Sequence, residues 1–132
     1  MATEELNQGE TRTIGFVPNG DLYIILPDRR LLVSAAILSL CSPVFATMLA
    51  SGFREGLKNN PGEKSHVSLP EDGPEAFTKI CQIVHHEVEK FPKQMTADEM
   101  KAVALLSNKY DCARIARPWV KSYFNKELGK IR

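Results

Sequence analysis

The chain has no apolar run long enough to cross a membrane. It also lacks any block of like charge: 17 basic residues against 16 acidic ones leave a net charge of +1. Binding nucleic acid requires a row of cations to displace counterions from phosphates, so no nucleic-acid partner is expected. An electrostatically held membrane surface is excluded on the same ground. Closely paired cysteines are absent too. Cys41, Cys81 and Cys112 are odd in number, far apart and set among apolar neighbours, and so read as reduced core thiols rather than a disulfide framework. The opening residues, MATEELNQGETR, are polar and acidic, unlike a secretory signal, which points to an intracellular protein of cytoplasm or nucleus. No glycine-rich phosphate loop follows the first strand, since PDRR contains no glycine.

The chain does have an ordinary globular composition, 43% apolar and 25% charged, over 132 residues, enough for one core. Residues 1–18 read as a flexible tail with room for one short strand at TIGFV, Thr13 to Val17. DLYIIL, Asp21 to Leu26, is nearly continuous apolar sequence and predicts a strand buried on both faces. Pro27 to Arg29 supply a turn, and Arg30 to Val33 return as the second arm of a hairpin. SAAILSLC is a short helix, and Ser42-Pro43 start another. LKNNPGEKS is a loop, and His66 to Leu69 a third strand.

Asp72 to Glu75 begin a further helix, with Phe77, Ile80, Cys81 and Val84 on one face. Thr96 and Glu99 fit a capping box ahead of Met100 and Val103. Asp111 to Leu128 form the last helical stretch, with Ile115, Trp119 and Tyr123 at four-residue steps, Trp119, Tyr123 and Phe124 read as core, and Pro118 predicting a kink or two short helices. The order predicts an α+β fold, a small three-stranded sheet with room for an extra N-terminal strand, capped by about five to six helices.

Reactive chemistry finds little support. Cys81 and His85 share a helix face, but a nucleophile and base need a third orienting group. Together with His86 and Cys112 they lack the close paired spacing of metal ligands. The simpler reading packs Cys81 inward and leaves His85 or His86 at the helix end, partly charged against the dipole. Glu71, Asp72 and Glu75 read as capping and dipole residues, and Arg29-Arg30 and Arg114-Arg117 as solvated surface. No cofactor, metal or catalytic residue is called for.

One stretch resists a purely structural account. In SPVFATMLASGFREG, Gly52 breaks the helix and the aromatic Phe53 follows, with Arg54 and Glu55 directly behind it. Either Phe53 folds back under a helix end capped by Gly52, or its ring is offered to a partner.

Several of these pieces occur together in one family. Asp21 leading a hairpin, the Ile37-Leu38 pair, Ser42-Pro43-Val44-Phe45, Met48, the run VSLPEDGPEAF and the segment ALLSNKYDC resemble the BTB/POZ domain, in order and in spacing, over about residues 19 to 126. GFREG, DGPEAF, HHE, NKYDC and RPWV resemble the BTB domains of fungal proteins most. The resemblance implies a BTB/POZ-like interaction domain over residues 19–128, without catalysis, acting as an adaptor for a cullin-type ubiquitin ligase scaffold. The alternative it implies is a homo- or hetero-oligomerisation module.

Many cullin-binding members carry a hydrophobic-x-Glu triplet after the methionine-containing helix, and Phe53-Arg54-Glu55 fits it. The binding face implied is that triplet with the helix start at Pro74. A homodimer would draw on Ile14, Phe16, Val17 and Asp21, although Ile14 to Val17 are equally able to pair with the chain's own hairpin. Two features depart from the family. Ser34-Ala35 stands where a histidine and a basic residue are common, so a charged dimer pocket around Asp21 lacks its cation. The long amphipathic helix before the first strand is also missing. The chain ends soon after its last helix, so target recruitment is expected either from a longer protein or through association alone.

Overall fold

The computed structural model describes residues 3–7, 11–50, 65–87, 89 and 94–131. Two strands, β1 (Thr3–Asn7) and β2 (Thr11–Gly15), precede the hairpin β3 (Leu22–Ile25) and β4 (Arg29–Val33). Helices α1 (Ala35–Cys41) and α2 (Pro43–Ala50) follow, then β5 (Ser65–Ser68), α3 (Pro74–Val84), α4 (Ala97–Lys109) and α5 (Ala113–Ile131). The strands form one five-stranded sheet in the order β1-β2-β4-β3-β5. Pairing is antiparallel for β1–β2 and β3–β4 and parallel for β2–β4 and β3–β5. The α+β class holds, with a wider sheet than three strands and one extra. The stretch before residue 18 supplies two strands. TEELN carries a single apolar residue, so its pairing with β2 leaves no hydrophobic alternation in the sequence to announce it.

Register explains the core. Ile14 lies opposite Leu31, Leu31 opposite Ile24, and Ile24 opposite Val67, so one apolar row crosses four strands. All four side chains are buried, as are the next row's Leu22 and Val33. Each such side chain contributes roughly 1.5–3 kcal/mol on leaving water. The reverse face is only half-covered, by Tyr23, Ile25, Arg30 and Leu32. DLYIIL is therefore an alternating strand, not one buried equally on both faces. On that reverse face Arg30 lies over the Tyr23 ring at 4.5 Å and donates from Nε to Thr13 Oγ1 at 2.7 Å. Gly20 is required by close approach: a Cβ there would sit 2.5 Å from Leu32 Cγ.

The helices close over the apolar row. Phe45, Phe77 and Tyr110 make a three-ring cluster, with Phe45 stacked on Tyr110 at 4.9 Å between centroids and Phe77 edge-on to both. The expected face of α3 is buried at Phe77, Ile80 and Cys81. The capping box of α4 forms as the sequence predicts: Thr96 Oγ1 accepts from Glu99 N–H, and Glu99 Oε1 accepts from Thr96 N–H. In α5 the inward face is Ala116, Trp119, Val120 and Tyr123, continuing from Cys112 just before it, while Ile115 and Phe124 are exposed. The expectation that Phe124 is core is thus corrected: its position lies about 90° round the helix from the mean direction of Ala116, Trp119, Val120 and Tyr123, and its ring is 51% exposed. Helix α5 also runs through Pro118 as one element. Proline there removes a single donor, to the Arg114 carbonyl, and residue 114 is exposed, so water can satisfy that oxygen.

Helices α3 and α4 end alike. After the cap residues His85 and Tyr110, the chain turns left-handed at His86 (φ 62°) and Asp111 (φ 54°). Glu87 N–H reaches the Gln82 carbonyl at 2.8 Å and Cys112 N–H the Ser107 carbonyl at 2.8 Å, closing two Schellman motifs. Neither left-handed residue is glycine, so each carries the steric cost of a Cβ in that region. His86→Gly and Asp111→Gly are each expected to raise unfolding stability by about 0.5–1 kcal/mol. Urea titration of the single variants checks this, and a loss of stability at both sites would contradict the assignment.

Candidate protein-interaction surface

The start of α3 is held from the sheet by a buried cation. Arg29 shares the inward parity of Leu31 and Val33 and is 3% exposed. Its guanidinium donates to both Asp28 oxygens (2.8 and 3.1 Å), to Glu75 Oε2 at 2.8 Å and to Thr78 Oγ1 at 3.1 Å. Thr78 in turn donates to the Pro74 carbonyl at 2.8 Å. Arg29 is therefore a structural anchor, not the solvated surface residue its polar neighbours suggest. A desolvated guanidinium requires this full set of acceptors. The hydrogen bond from Arg29 holds the Glu75 carboxyl below its usual range, as it does for Asp28, despite the opposing effect of burial. Pro74 sits at the first position of α3, half-buried, between exposed Gly73 and Glu75.

The start of α1 is met by three acceptors from separate parts of the chain. Ser34 Oγ accepts from Ile37 N–H at 3.2 Å, Asp21 Oδ1 accepts from Ala35 N–H at 2.9 Å, and His85 Nε2 accepts from Ser34 N–H at 3.2 Å. The other imidazole nitrogen, Nδ1, lies 3.0 Å from the Cys81 carbonyl. With Nε2 accepting, Nδ1 is the protonated nitrogen and the ring is neutral. Burial pushes the His85 pKa below its usual value, and Phe16 packs against the ring at 5.5 Å. Of the two histidines expected at the helix end, His85 is neutral and buried, and His86 is the exposed one. The contact of His85 with Cys81 is to the backbone carbonyl.

The start of α2 is joined to the end of α4. Ser42 is buried; its Oγ accepts from Phe45 N–H at 3.1 Å and donates to the Tyr110 carbonyl at 2.6 Å. The Tyr110 hydroxyl donates to Asp72 Oδ2, and Lys109 Nζ reaches Asp72 Oδ1 at 2.5 Å. Asp72 is therefore not a cap of α3, whose N-cap is Gly73 with no side-chain bond. Burial pushes the Tyr110 phenol well up, and the bond to Asp72 adds to this. Burial also raises the thiols: Cys81 strongly, Cys112 to about 11, and Cys41 to a lesser degree. Cys41 and Cys112 line a small apolar cavity with Leu38, Phe45, Ile80 and Val84. Thiols in such a wall stay protonated near neutral pH.

These positions test the sequence-derived site residues unevenly. Phe53, Arg54 and Glu55 lie outside the described residues, as does Gly52. Ile14 and Phe16 lie in the chain's own core, 9% and 2% exposed, where β2 pairs with β4 of the same chain, the own-hairpin alternative. Val17 is half-buried, and Asp21 is exposed with its carboxylate engaged at Ala35. The residues that position these surfaces, Arg29, Asp72 and His85, were not singled out for that role. For Arg29 the signal was there, in its two-residue spacing from Leu31 and Val33.

The imidazole makes stability pH-dependent in a defined direction. The folded-state pKa of His85 lies below the ordinary value of 6.5, so the unfolded chain binds the proton first as pH falls. Stability is therefore present above about pH 6.5 and is lost below it. Asp28 and Glu75 act in a separate, more acidic window. Urea midpoints measured at steps between about pH 7.5 and 5.5 should fall for the native chain and stay flatter for His85→Gln. In the Asp72 cluster, Tyr110→Phe removes one donor from a buried carboxylate and should cost about 1–3 kcal/mol. Lys109→Ala should cost less, since that side chain is half-exposed. Equal losses in the two variants would argue against the assigned roles.

The BTB/POZ domain family model matches residues 19–122, from the turn before β3 into α5. Among solved structures, the BTB (Tramtrack and Bric a brac) domain of human Gigaxonin is similar in fold. Its TM-score is 0.53 and its sequence identity 16%, over 72% of this chain and 70% of that one. No curated protein matches. The matched stretch takes in the β3–β4 hairpin, β5, α1 to α4 and the polar junctions that tie their ends together, and on that footing the chain belongs to the BTB/POZ domain family, a family of protein–protein interaction modules.

Proposed function

We propose that this domain is an adaptor that docks on a cullin-type ubiquitin ligase scaffold through Phe53, Arg54, Glu55 and the start of α3 at Pro74. The reading rests on the triplet itself, a hydrophobic-x-Glu pattern just after the methionine-containing helix α2, in a chain of this family. The start of α3 supports it: Glu71, Gly73 and Glu75 are exposed on a helix end that Arg29 fixes, so a partner would meet a preformed ledge. A ring the size of Phe53 entering an apolar notch contributes on the order of 2 kcal/mol, and the Glu55 carboxylate would set its orientation.

A second reading, association between copies, is favoured by one observation. Leu40 on α1 is 86% exposed, a large apolar side chain left in water beside exposed Ala36. Such association would not use a charged pocket around Asp21, whose carboxylate is occupied by the Ala35 N–H.

Titration of the domain with a cullin amino-terminal region separates the readings. Saturable binding that weakens about tenfold or more in Phe53→Ala and in Glu55→Lys is expected. Absent binding, or binding unchanged in both variants, rejects the adaptor. A mass that rises with concentration, and stays that of the monomer in Leu40→Gln, supports association.

A further inference from the structure

The outward side of α5 carries a single stripe of side chains. Arg114, Arg117, Lys121 and Phe124 are all exposed and follow one another in steps of three, four and three residues. Those steps return to the same side of a helix, so three cations and one aromatic ring line up over about 15 Å. By sequence the helix holds five basic residues against Glu127 alone, which leaves 12 basic and 15 acidic residues in the rest of the chain. The near-zero net charge thus conceals a segregation, with α5 positive and the remainder negative.

The cations of this stripe differ from three others in how they are used. Arg29, Lys79 and Lys109 each lie against a carboxylate. Arg114, Arg117 and Lys121 have no ion-pair partner among the described residues. Phe124, 51% exposed, is set edge-on to Tyr123 at 5.4 Å and closes the stripe with an apolar contact. Pro118 adds an acceptor beside it, since the Arg114 carbonyl receives no helical N–H.

We infer that this face of α5 docks an acidic polypeptide segment, one with three carboxylates at the complementary spacing and an apolar residue that covers Phe124. The site is separate from the triplet and the α3 start, and the inference does not rest on the cullin reading. Three cations over one helix face meet too few phosphates to hold nucleic acid strongly at physiological salt. A membrane would need an apolar face, and the apolar side of α5 is turned to the core. A second copy fits poorly, because no described helix or strand carries three acidic residues, and Asp28, Asp72 and Glu75 already hold cations.

The test uses fluorescence anisotropy on the full chain. The probe is a fluorescein-labelled helical peptide of alanine and glutamine with glutamates spaced by three and four and a leucine three further on, made in both directions. The same peptides with glutamine for glutamate serve as the control. Saturable binding of a glutamate peptide is expected, weakened about tenfold or more by the combined Arg114→Gln, Arg117→Gln and Lys121→Gln variant and about threefold by Phe124→Ser. Circular dichroism should be unchanged in both, as all four residues are exposed. The inference is overturned by absent binding, by equal binding of the glutamine peptides, or by no effect of the charge variant. Tighter binding of a 20-nucleotide single strand or of phosphatidylserine vesicles overturns it equally, as does salt-sensitive self-association.

Discussion

Two helix ends hold two helix beginnings, and the rest of the helical layer depends on that arrangement. The C-cap of α3, His85, accepts the N–H of Ser34, the N-cap of α1. The C-cap of α4, Tyr110, offers its carbonyl to the hydroxyl of Ser42, which opens α2. In both cases a left-handed residue follows the cap and closes a Schellman motif, turning the cap side chain inward. Helix ends normally leave backbone groups for water to satisfy. Here one backbone donor, the Ser34 N–H, and one backbone acceptor, the Tyr110 carbonyl, are satisfied by side chains across sequence separations of 51 and 68 residues, in buried or part-buried positions. Each bond is worth only about 1 kcal/mol net, but an unmet buried donor or acceptor would cost more than that. The junctions therefore specify which helix lies against which, more than they add stability.

The same logic governs charge. Arg29 is buried because two carboxylates and a hydroxyl surround it, and Asp72 is buried because a tyrosine and a lysine reach it. Both connect elements that hydrophobic contact alone would leave free to slide: β4 to α3 in one case, the turn before α3 to the end of α4 in the other. Apolar rows set the layers, as Ile14, Leu31, Ile24 and Val67 do across the sheet. Buried polar contacts then choose one alignment among several that would bury similar apolar area.

That division of labour explains what was legible in the sequence. Local signals were readable: the capping box at Thr96 and Glu99, the helical spacing of Phe77, Ile80 and Cys81, the Ser42-Pro43 restart, and the β3–β4 hairpin. Each rests on neighbours within a turn or two of chain. The strand TEELN was not, because a mostly polar edge strand is defined by its partner β2 and not by its own composition. Nor were the roles of Asp72 and His85, whose partners lie 37 to 51 residues away, whereas the inward parity of Arg29 was readable and its acceptors on α3 were not. The outward turn of Phe124 was hidden differently: two adjacent aromatics, Tyr123 and Phe124, both look like core until the helix is phased by Ala116, Trp119 and Tyr123. Family resemblance supplied the BTB/POZ-like fold that local reasoning could not, but not the second N-terminal strand or the order of the sheet.

The polar junctions also bear on how the domain presents itself. Glu75, which takes the Arg29 guanidinium, is the residue next to Pro74, and Cys112, which follows the Tyr110–Asp111 turn, caps the start of α5 by accepting from Ala116 N–H. The two outward surfaces discussed above thus begin within a residue or two of a buried hydrogen-bonded anchor. A docking face built on such a helix loses little conformational freedom when a partner arrives, so more of the contact energy is available for affinity. Flexible loops would adapt to more partners but would spend that energy on ordering. In this domain the polar residues that align the core also hold its exposed helix ends in a fixed pose, and recognition becomes a matter of which side chains those ends display.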